Sequence, residues 1–149
     1  MEQTLVILKP DAIQRRYIGE ILSRFENKGL KLVALKMIQM DDTTLMTHYA
    51  DHVDKSFYPS LCEFMKSAPV VVMVLEGLSA ISVVRQMMGQ TDSKEASPGT
   101  VRGDLGLSKG YNLIHGSDSE ESATKELSLY FTPQEIQNYT ISEAKWLDA

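Results

Sequence analysis

Nearly uninterrupted apolar runs mark the strands of this chain. Residues 4–8 read Thr-Leu-Val-Ile-Leu, and residues 70–75 read Val-Val-Val-Met-Val-Leu, as expected of central strands that are buried on both faces. Residues 30–39 are rich in β-compatible side chains, and Leu113 with Ile114 form a shorter apolar pair before a polar segment. The pattern therefore predicts four strands.

Apolar residues at helical spacing, three and four positions apart, occupy the segments between these strands. Gly29 suits the position just after a helix, residues 41–43 can cap a helix, and Pro59 can begin a short one. The positions that carry the pattern are Ile18, Ile21, Leu22, Phe25, Leu45, Met46, Tyr49, Leu61, Cys62, Met65, Ile81, Val84, Met88, Ala123, Leu127 and Tyr130.

The order of these elements predicts an α+β fold. A β-α-β-β-α-β core corresponds to a ferredoxin-like sandwich, a four-stranded antiparallel sheet with helices on its surface. A doubly wound parallel sheet is the alternative. Residues 90–111 are rich in glycine and serine and predict a long loop, which in a compact domain is usually functional or disordered. With 149 residues, the chain is expected to form a single domain, 1–149.

Composition narrows the class of protein. The net charge of −5 argues against extensive nucleic-acid binding. Cys62 is the one cysteine of the sequence, so the chain cannot form an internal disulfide or a cysteine-rich zinc site. No stretch resembles a signal peptide or approaches the ~20 apolar residues of a membrane span. A cytoplasmic location is therefore the default expectation.

The segment 112–119, Asn-Leu-Ile-His-Gly-Ser-Asp-Ser, is the strongest candidate for chemistry. His115 is predicted at the end of the last strand, and strand ends are where open α/β sheets place ligands. Asp118 has capping-box spacing with Glu121 and predicts the start of the last helix. On that helix, Glu126 can point back to His115. A carboxylate bound to one imidazole nitrogen leaves the other free as a nucleophile; a core histidine and an unrelated surface glutamate are the alternative.

Three cationic side chains fall at strand ends, at helix flanks or in the long loop. Arginine binds phosphate oxygens in a bidentate manner and lysine acts as a point charge. The residues that could line a triphosphate site in this way are Lys9, Arg85 and Arg102, together with Thr91 and Asn112. Each taken alone is more often an ordinary surface residue. The nucleotide-binding motifs GxxxxGK[ST] and GxGxxG are absent from the sequence.

Histidine occurs in two other arrangements that could carry chemistry. His48 and His52 are four residues apart on a predicted helix, a spacing that can hold a metal ion. No third ligand accompanies them in a motif, so a solvated helix face is the preferred interpretation. His115, Ser117 and Asp118 are the residue types of a catalytic triad, but known triads draw their members from separate segments.

With the motif Asn112-x-x-His115-Gly116-Ser117-Asp118 in place, the sequence resembles the nucleoside diphosphate kinase family. The resemblance covers essentially the whole chain. The other segments that carry it, in order and at family-like distances, are Lys9-Pro10-Asp11 with Gln14-Arg15, His48-Tyr49, Phe57, Gly89-x-Thr91 and Pro98-Gly99-Thr100-Val101-Arg102-Gly103-Asp104.

The resemblance implies a ferredoxin-like core and transfer of the γ-phosphate of a nucleoside triphosphate, mainly ATP, to nucleoside diphosphates. It implies a ping-pong route through a phosphohistidine on His115. It also implies Mg²⁺ carried on the nucleotide phosphates, with no metal held directly by the protein. The chemistry is coherent, because a neutral imidazole is a competent nucleophile near its ordinary pKa of ~6.5. Phosphoryl transfer requires mainly positioning and charge stabilisation.

The resemblance further implies a role for each site residue. Glu126 is expected to hold the second imidazole nitrogen of His115, and Ser117 to hydrogen-bond that carboxylate. Lys9 and Tyr49 are expected beside the γ-phosphate. The implied nucleotide contacts are Arg85, Thr91 and Arg102 at the phosphates, Asn112 with Lys9 at the sugar, Phe57 stacked on the base, and Leu61 beside it. Stacking on a phenyl ring tolerates every base, so broad base specificity is expected.

Two residues depart from the family pattern. Lys109 stands where the family usually offers an apolar residue near the base, and Arg16 stands where glycine is common after the first strand. Because the family forms hexamers or tetramers, a homo-oligomer is implied, and Pro98-Gly99 with the tail through Trp146 favour the hexamer. Neither a membrane nor a nucleic-acid partner is expected.

Two other classes of function stay open at this level. A non-catalytic nucleotide-binding regulator on the same fold would bind nucleotide without labelling His115 and would not need Glu126. A phosphohistidine hydrolase or phosphocarrier would pass the phosphate to water or to a protein. That function leaves the sugar- and base-contacting residues unexplained.

Overall fold

Four strands form one antiparallel sheet in the computed structural model, which describes residues 1–147. They are β1 (Glu2–Leu8), β2 (Lys31–Ile38), β3 (Val70–Gly77) and β4 (Ile114–Gly116), in the spatial order β2-β3-β1-β4. Each neighbouring pair is antiparallel. The predicted ferredoxin-like sheet is confirmed, and the doubly wound parallel alternative is wrong.

Helices cover both faces of this sheet. In chain order they are α1 (Pro10–Gln14), α2 (Ile18–Lys28), α3 (Asp42–His48), α4 (Tyr58–Lys66), α5 (Ala80–Met88), α6 (Val101–Leu105) and α7 (Glu120–Tyr130), with short 3₁₀ turns at Ala50–His52, Pro133–Glu135 and Ala144–Trp146. Within residues 1–147, none of these helices has the length and apolar character needed to cross a membrane.

The central strand β1 contributes alternately to two hydrophobic cores. Val6 and Leu8 pack in the core formed with α2 and α5, whereas Leu5 and Ile7 pack in the core formed with α3, α4 and α7. All four side chains are fully buried. Burial on both faces explains why the sequence of this strand is a continuous apolar run rather than an alternating one.

The helix ends follow the sequence signals with one exception. Gly29 adopts a φ of 102° and ends α2, and Asp41 caps α3, both as predicted. The predicted cap of the last helix is wrong: Ser119, not Asp118, is the N-cap of α7, and its hydroxyl accepts a hydrogen bond from the Ser122 amide. Ser119 has the extended backbone that an N-cap requires.

The predicted loop over 90–111 contains the short helix α6. Thr100 caps it by accepting a hydrogen bond from the amide of Gly103. The sequence pattern does not predict this helix because Gly103 is a poor helix former. Glycine is required there for packing, since a Cβ at Gly103 would lie 2.0 Å from the carbonyl oxygen of Ser97.

The last strand begins one residue later than predicted. Leu113 has a φ of 72° and lies outside β4, so His115 occupies the centre of the strand rather than its end. His115 pairs with Ile7 of β1 in the antiparallel register. The histidine is therefore held by the sheet itself.

Arg16 preserves the turn at which the resembled family commonly has glycine. The amide of Arg16 bonds the carbonyl of Ile13, and the amide of Tyr17 bonds the carbonyl of Ala12. These two bonds form the Schellman motif that closes a helix. Arg16 adopts the left-handed φ of 60° that this motif requires. The turn is therefore formed by an arginine, whose Cβ makes the left-handed conformation sterically unfavourable, as it would not be for glycine.

Candidate active site

A hydrogen-bonded chain joins β4 to α7 through His115. His115 Nε2 lies 2.9 Å from Glu126 Oε1, and the Ser117 hydroxyl donates to the same oxygen at 2.7 Å. Ser117 Oγ accepts in turn from the amide of Leu5 on β1, at 3.3 Å. Because an ionised carboxylate only accepts hydrogen bonds, this network assigns the ring proton to Nε2 and leaves a free lone pair on Nδ1.

The surroundings of Glu126 keep its carboxylate ionised. Burial alone would raise its pKa, but hydrogen bonds from His115 and Ser117 and the nearby charge of His115 hold the pKa below its ordinary value. An ionised carboxylate at this position fixes the orientation of the ring. It also favours a positive charge on that ring when Nδ1 forms a bond.

His48 lies edge-on against His115, with the ring centroids 4.7 Å apart. The Nδ1 atom of His48 is 3.0 Å from the hydroxyl of Tyr130 on α7. Burial, followed by the proximity of His115, lowers the pKa of His48 to about 4, so this ring is neutral near pH 7. The interpretation of His48 as part of a solvated helix face is wrong, because the end of α3 packs against α7.

A second polar cluster gathers where β1 ends. Lys9 Nζ donates to Asn112 Oδ1 at 2.7 Å, and the Asn112 amide group donates to the carbonyl of Thr91 at 3.0 Å. Burial and the positive charge of Arg102 lower the pKa of Lys9 to about 8, against the opposing effect of Asp11. Crowded cations that disfavour each other's charge form an environment that attracts an anion.

Arg102 connects this cluster to the long loop and to β4. Its guanidinium is buried and donates three hydrogen bonds, of 3.0, 3.1 and 2.6 Å, to the carbonyls of Gly89, Asn112 and Ile114. One N–H on each terminal nitrogen is left for a ligand. Arg85 is exposed and reaches the carbonyl of Gly116 at 3.3 Å.

A row of aromatic rings leads from His115 toward α4. The centroid distances between successive rings are 4.6, 6.2 and 5.5 Å for His48, Tyr49, His52 and Phe57. Burial raises the pKa of Tyr49 above its ordinary value, so its hydroxyl stays protonated and can donate. Phe57, at the far end, is 49% exposed, and Leu61 one turn later is half-buried.

The structure brings the sequence-predicted residues into two contacting groups. One contains His115, Glu126 and Ser117, and the other contains Lys9, Thr91, Arg102 and Asn112. Tyr49 joins the first group through its contact with His48. Arg85 stands at the edge of both, and Phe57 with Leu61 lies at the end of the ring row. Such an arrangement supplies a nucleophile beside a cationic pocket.

Comparison with known proteins agrees with this chemistry. The family model described as nucleoside diphosphate kinase matches residues 2–136. The chain belongs to the nucleoside diphosphate kinase family. A nucleoside diphosphate kinase of Rhodopirellula baltica is 56% identical over 141 residues, which cover 95% of this chain and 93% of the relative. One of Pyrococcus furiosus is 56% identical over 142 residues, covering 93% of this chain and 88% of the relative.

A solved structure supports the same assignment. The nucleoside diphosphate kinase of Halobacterium salinarum in complex with CDP has a TM-score of 0.95 and 44% identity, covering 98% of this chain and 97% of that chain. The resemblance read from the sequence is confirmed. As a nucleoside diphosphate kinase, the chain is a phosphotransferase that moves the γ-phosphate of a nucleoside triphosphate to a nucleoside diphosphate.

The sequence does not identify two residues that contact this cluster. Its patterns predict a solvated helix face for His48 and an apolar core position for Tyr130, whereas the two side chains bond each other beside His115. The available signal was spacing, because Tyr130 follows Glu126 by four positions and so shares its face of α7. Nothing in the local sequence showed that His48 would lie on the same side.

One group among the described residues 1–147 offers three metal-ligand atoms. These atoms belong to His48, His115 and Glu126 and lie within 4.8 Å of one another. His52, the predicted partner of His48, is not part of the group. Nε2 of His115 is already hydrogen-bonded to Glu126, so the three residues form a hydrogen-bonded and edge-packed cluster without an ion.

Proposed function

We propose that His115 accepts the γ-phosphate and returns it. The observation that carries the proposal is the 2.9 Å contact between His115 Nε2 and Glu126 Oε1, which leaves Nδ1 as the free nucleophile. Nδ1 attacks the γ-phosphorus, the bond to the bridging oxygen breaks, and the nucleoside diphosphate leaves with that oxygen. The terminal phosphate oxygen of a second nucleoside diphosphate then attacks the same phosphorus, and Nδ1 leaves with its electron pair. Glu126 offsets the positive charge on the phosphorylated ring.

The cationic cluster is proposed to bind the nucleotide. Arg85, Thr91 and Arg102 contact the phosphates, and Lys9 with Tyr49 lies beside the γ-phosphate. The 2.7 Å bond between Lys9 and Asn112 supports their joint role at the sugar. The half-exposed face of Phe57 supports stacking of the base, with Leu61 beside it.

Mg²⁺ is proposed to reach the site on the nucleotide phosphates. Mg²⁺ is usually bound through substrate phosphates and one or two carboxylates rather than by an all-protein cage. The pocket fits this pattern, since it is lined by cations and the carboxylate beside Lys9, that of Asp11, already accepts the amide of Leu113. When bound, the ion would neutralise phosphate charge, while Lys9 and Arg102 hold the phosphates in place.

A homo-oligomer is also proposed, with the hexamer favoured and the tetramer as the alternative. The edge strand β2 supports it, because Leu35 and Met37 on this strand are 45% and 55% exposed, and an apolar edge strand readily pairs with another chain. Trp146, in the tail, is 78% exposed. A single domain over 1–149 and a cytoplasmic location complete the proposal; the first is supported by the family match over residues 2–136, and the second by composition.

A labelling experiment tests the proposal. The protein is incubated with γ-labelled ATP and Mg²⁺ and quenched, and the label is tested for stability in acid and in alkali. We expect an acid-labile, alkali-stable label on His115 that UDP or GDP discharges as the triphosphate. His115→Ala should take no label while still binding nucleotide, and Glu121→Ala, which changes an exposed residue of α7, is the control that should be labelled.

Each other outcome contradicts the proposal in a different way. Nucleotide binding without a label would favour the non-catalytic regulator. A label that only water removes would favour the hydrolase. Unchanged transfer by His115→Ala would exclude His115 as the phosphate carrier.

A further inference from the structure

The turn that precedes β4 is strained at Leu113. This residue is not glycine, yet it has a φ of 72°, and its side chain is fully buried in the hydrophobic core. The amide of Ile114 bonds back to the carbonyl of Asn112 at 2.8 Å, which closes a γ-turn with Leu113 at its centre. The positive-φ form of this turn is rare and persists only where surrounding contacts hold it.

The segment after β1 supplies those contacts. The amide of Leu113 donates to Asp11 Oδ2 at 3.0 Å, and its carbonyl accepts the amide of Lys9 at 2.8 Å. Both backbone polar groups of the strained residue are therefore bonded to the three residues 9–11. Asp11 provides the one side-chain contact of this clamp, because the Lys9 bond is made by backbone.

The clamped turn lies between the two halves of the proposed site. On its N-terminal side, Asn112 bonds Lys9 through Oδ1 and Arg102 through its carbonyl. On its C-terminal side, Ile114 begins β4 and His115 follows in register with β1. The conformation of Leu113 thus sets the position of Asn112 relative to His115.

We propose that Asp11 is a positioning residue of the kinase, which holds the γ-turn at Leu113 and so aligns Asn112 and Lys9 with His115. The inference rests on the proposed roles of His115 and Asn112. Asp11 touches neither nucleotide nor the reacting atoms in this account. It acts through the backbone amide of Leu113.

Asp11 lies in the first turn of α1, and one of its two oxygens is held by the Leu113 amide. Its second oxygen, Oδ1, is buried and has no hydrogen-bond partner within residues 1–147. Burial raises the pKa of Asp11, against the opposing effects of the Leu113 amide and of Lys9. A buried carboxylate oxygen without a partner is unfavourable for folding, whereas the bond to Leu113 and the place in the first turn of α1 are favourable.

Substitution of Asp11 tests the inference through the rate of His115 phosphorylation in a single turnover. We expect Asp11→Ala to lower the maximal rate by about 10-fold or more, because displacement of catalytic groups by an ångström has effects of that size. Asp11→Asn, whose carbonyl oxygen still accepts the Leu113 amide, should stay within about 3-fold of the wild type. Glu26→Ala removes an exposed carboxylate of α2 and is the control.

Hydrogen exchange at the Leu113 amide gives a second measurement. It should be slow in the wild type and in Asp11→Asn, and at least about 10-fold faster in Asp11→Ala. If Asp11→Ala does not fold, Asp11→Leu, which fills the same space without an acceptor, replaces it.

Three results would overturn the inference: an unchanged rate in the folded variant without an acceptor, a rate for Asp11→Asn as low as that variant's, or fast exchange at Leu113 in the wild type. Failure of the wild type to become phosphorylated at His115 is a different outcome, since it would refute the proposed function itself.

Discussion

His115 and His48 lie in contact, yet their hydrogen-bond partners give them different properties. The carboxylate of Glu126 bonds Nε2 of His115, whereas the hydroxyl of Tyr130 bonds Nδ1 of His48. Burial lowers the pKa of His48 to about 4, so it adds no positive charge beside His115 near pH 7. Because His48 is neutral and fixed in position, Glu126 is the group that can stabilise positive charge on the His115 ring.

Removal of the carboxylate of Glu126 should slow phosphorylation of His115. We expect Glu126→Ala to lower the single-turnover rate by about 10- to 100-fold, because the ring loses its fixed orientation and the stabilisation of its positive charge. Glu121→Ala, on the exposed face of the same helix, is the matched control. Equal rates for the two variants would remove the orienting role of Glu126.

Lys9 should set the alkaline limit of activity. Its pKa of about 8 in the folded protein lies below the ordinary 10.5, so the free enzyme carries this charge below about pH 8 and loses it above. The value of kcat/KM should therefore fall as the pH rises through about 8. In Lys9→Arg the alkaline fall of kcat/KM should move to higher pH, since guanidinium stays protonated, and Lys94→Arg should leave it in place. If Lys9→Arg did not move this fall, its assignment to Lys9 would be contradicted.

At the scale of elements, sheet register and helix caps place the site residues. Lys9 follows the last residue of β1, and His115 pairs with Ile7 of the same strand, so adjacent strands bring the cationic cluster and His115 together. The two helix-end motifs at Arg16 and Gly29 both use a left-handed residue. Of these two residues, only Arg16 has a side chain, and that side chain disfavours the left-handed conformation.

Replacement of Arg16 by glycine should stabilise the protein. A left-handed non-glycine residue costs about 1–2 kcal/mol, and glycine returns about 0.5–1 kcal/mol of this through the entropy of the unfolded chain. The expected net gain of about 0–1.5 kcal/mol corresponds to a rise in Tm of up to about 3–6 °C. Arg16→Ala keeps the Cβ and should show no such rise. A Tm for Arg16→Gly at or below that of Arg16→Ala would contradict this explanation.

The sequence predicted the elements that depend on apolar periodicity and missed those that depend on distant contacts. The four strands, the cap at Asp41 and the end of α2 at Gly29 follow from local patterns. The left-handed conformation of Leu113 could not be predicted, because it is held by Asp11, which is distant in sequence. The burial of His48 could not be predicted for the same reason, since it depends on how α3 packs against α7. The roles of the site residues came from the family motif rather than from periodicity.

At the scale of the whole molecule, the sheet edge and the tail both carry exposed apolar residues. β2 has one neighbouring strand, β3. The tail also contacts β2, since the amide of Gln137 donates to the carbonyl of Val33 at 2.8 Å. Leu35 and Met37 on this strand and Trp146 in the tail are large apolar side chains with much of their surface exposed. Such surfaces mark places where another chain packs.

The oligomer should be visible in the mass in solution. Light scattering should give six times the chain mass of 16.7 kDa, or four times for the tetramer. Met37→Lys should weaken the assembly and lower the mass at micromolar concentration, because it places a charge on the edge strand. Met46→Lys is a close control, since Met46 on α3 is equally exposed, at 55%. A wild-type monomer would contradict the proposal.

We propose that Glu126 holds Nε2 of His115 in a hydrogen bond and so directs the phosphate to Nδ1. The most direct test is NMR of the phosphorylated protein with ¹⁵N-labelled histidine, in which coupling to ³¹P identifies the nitrogen that carries the phosphate. The hydrogen-bond network predicts a phosphate on Nδ1 with the proton retained on Nε2. A phosphate on Nε2 would contradict the account, because that atom could not then donate to Glu126.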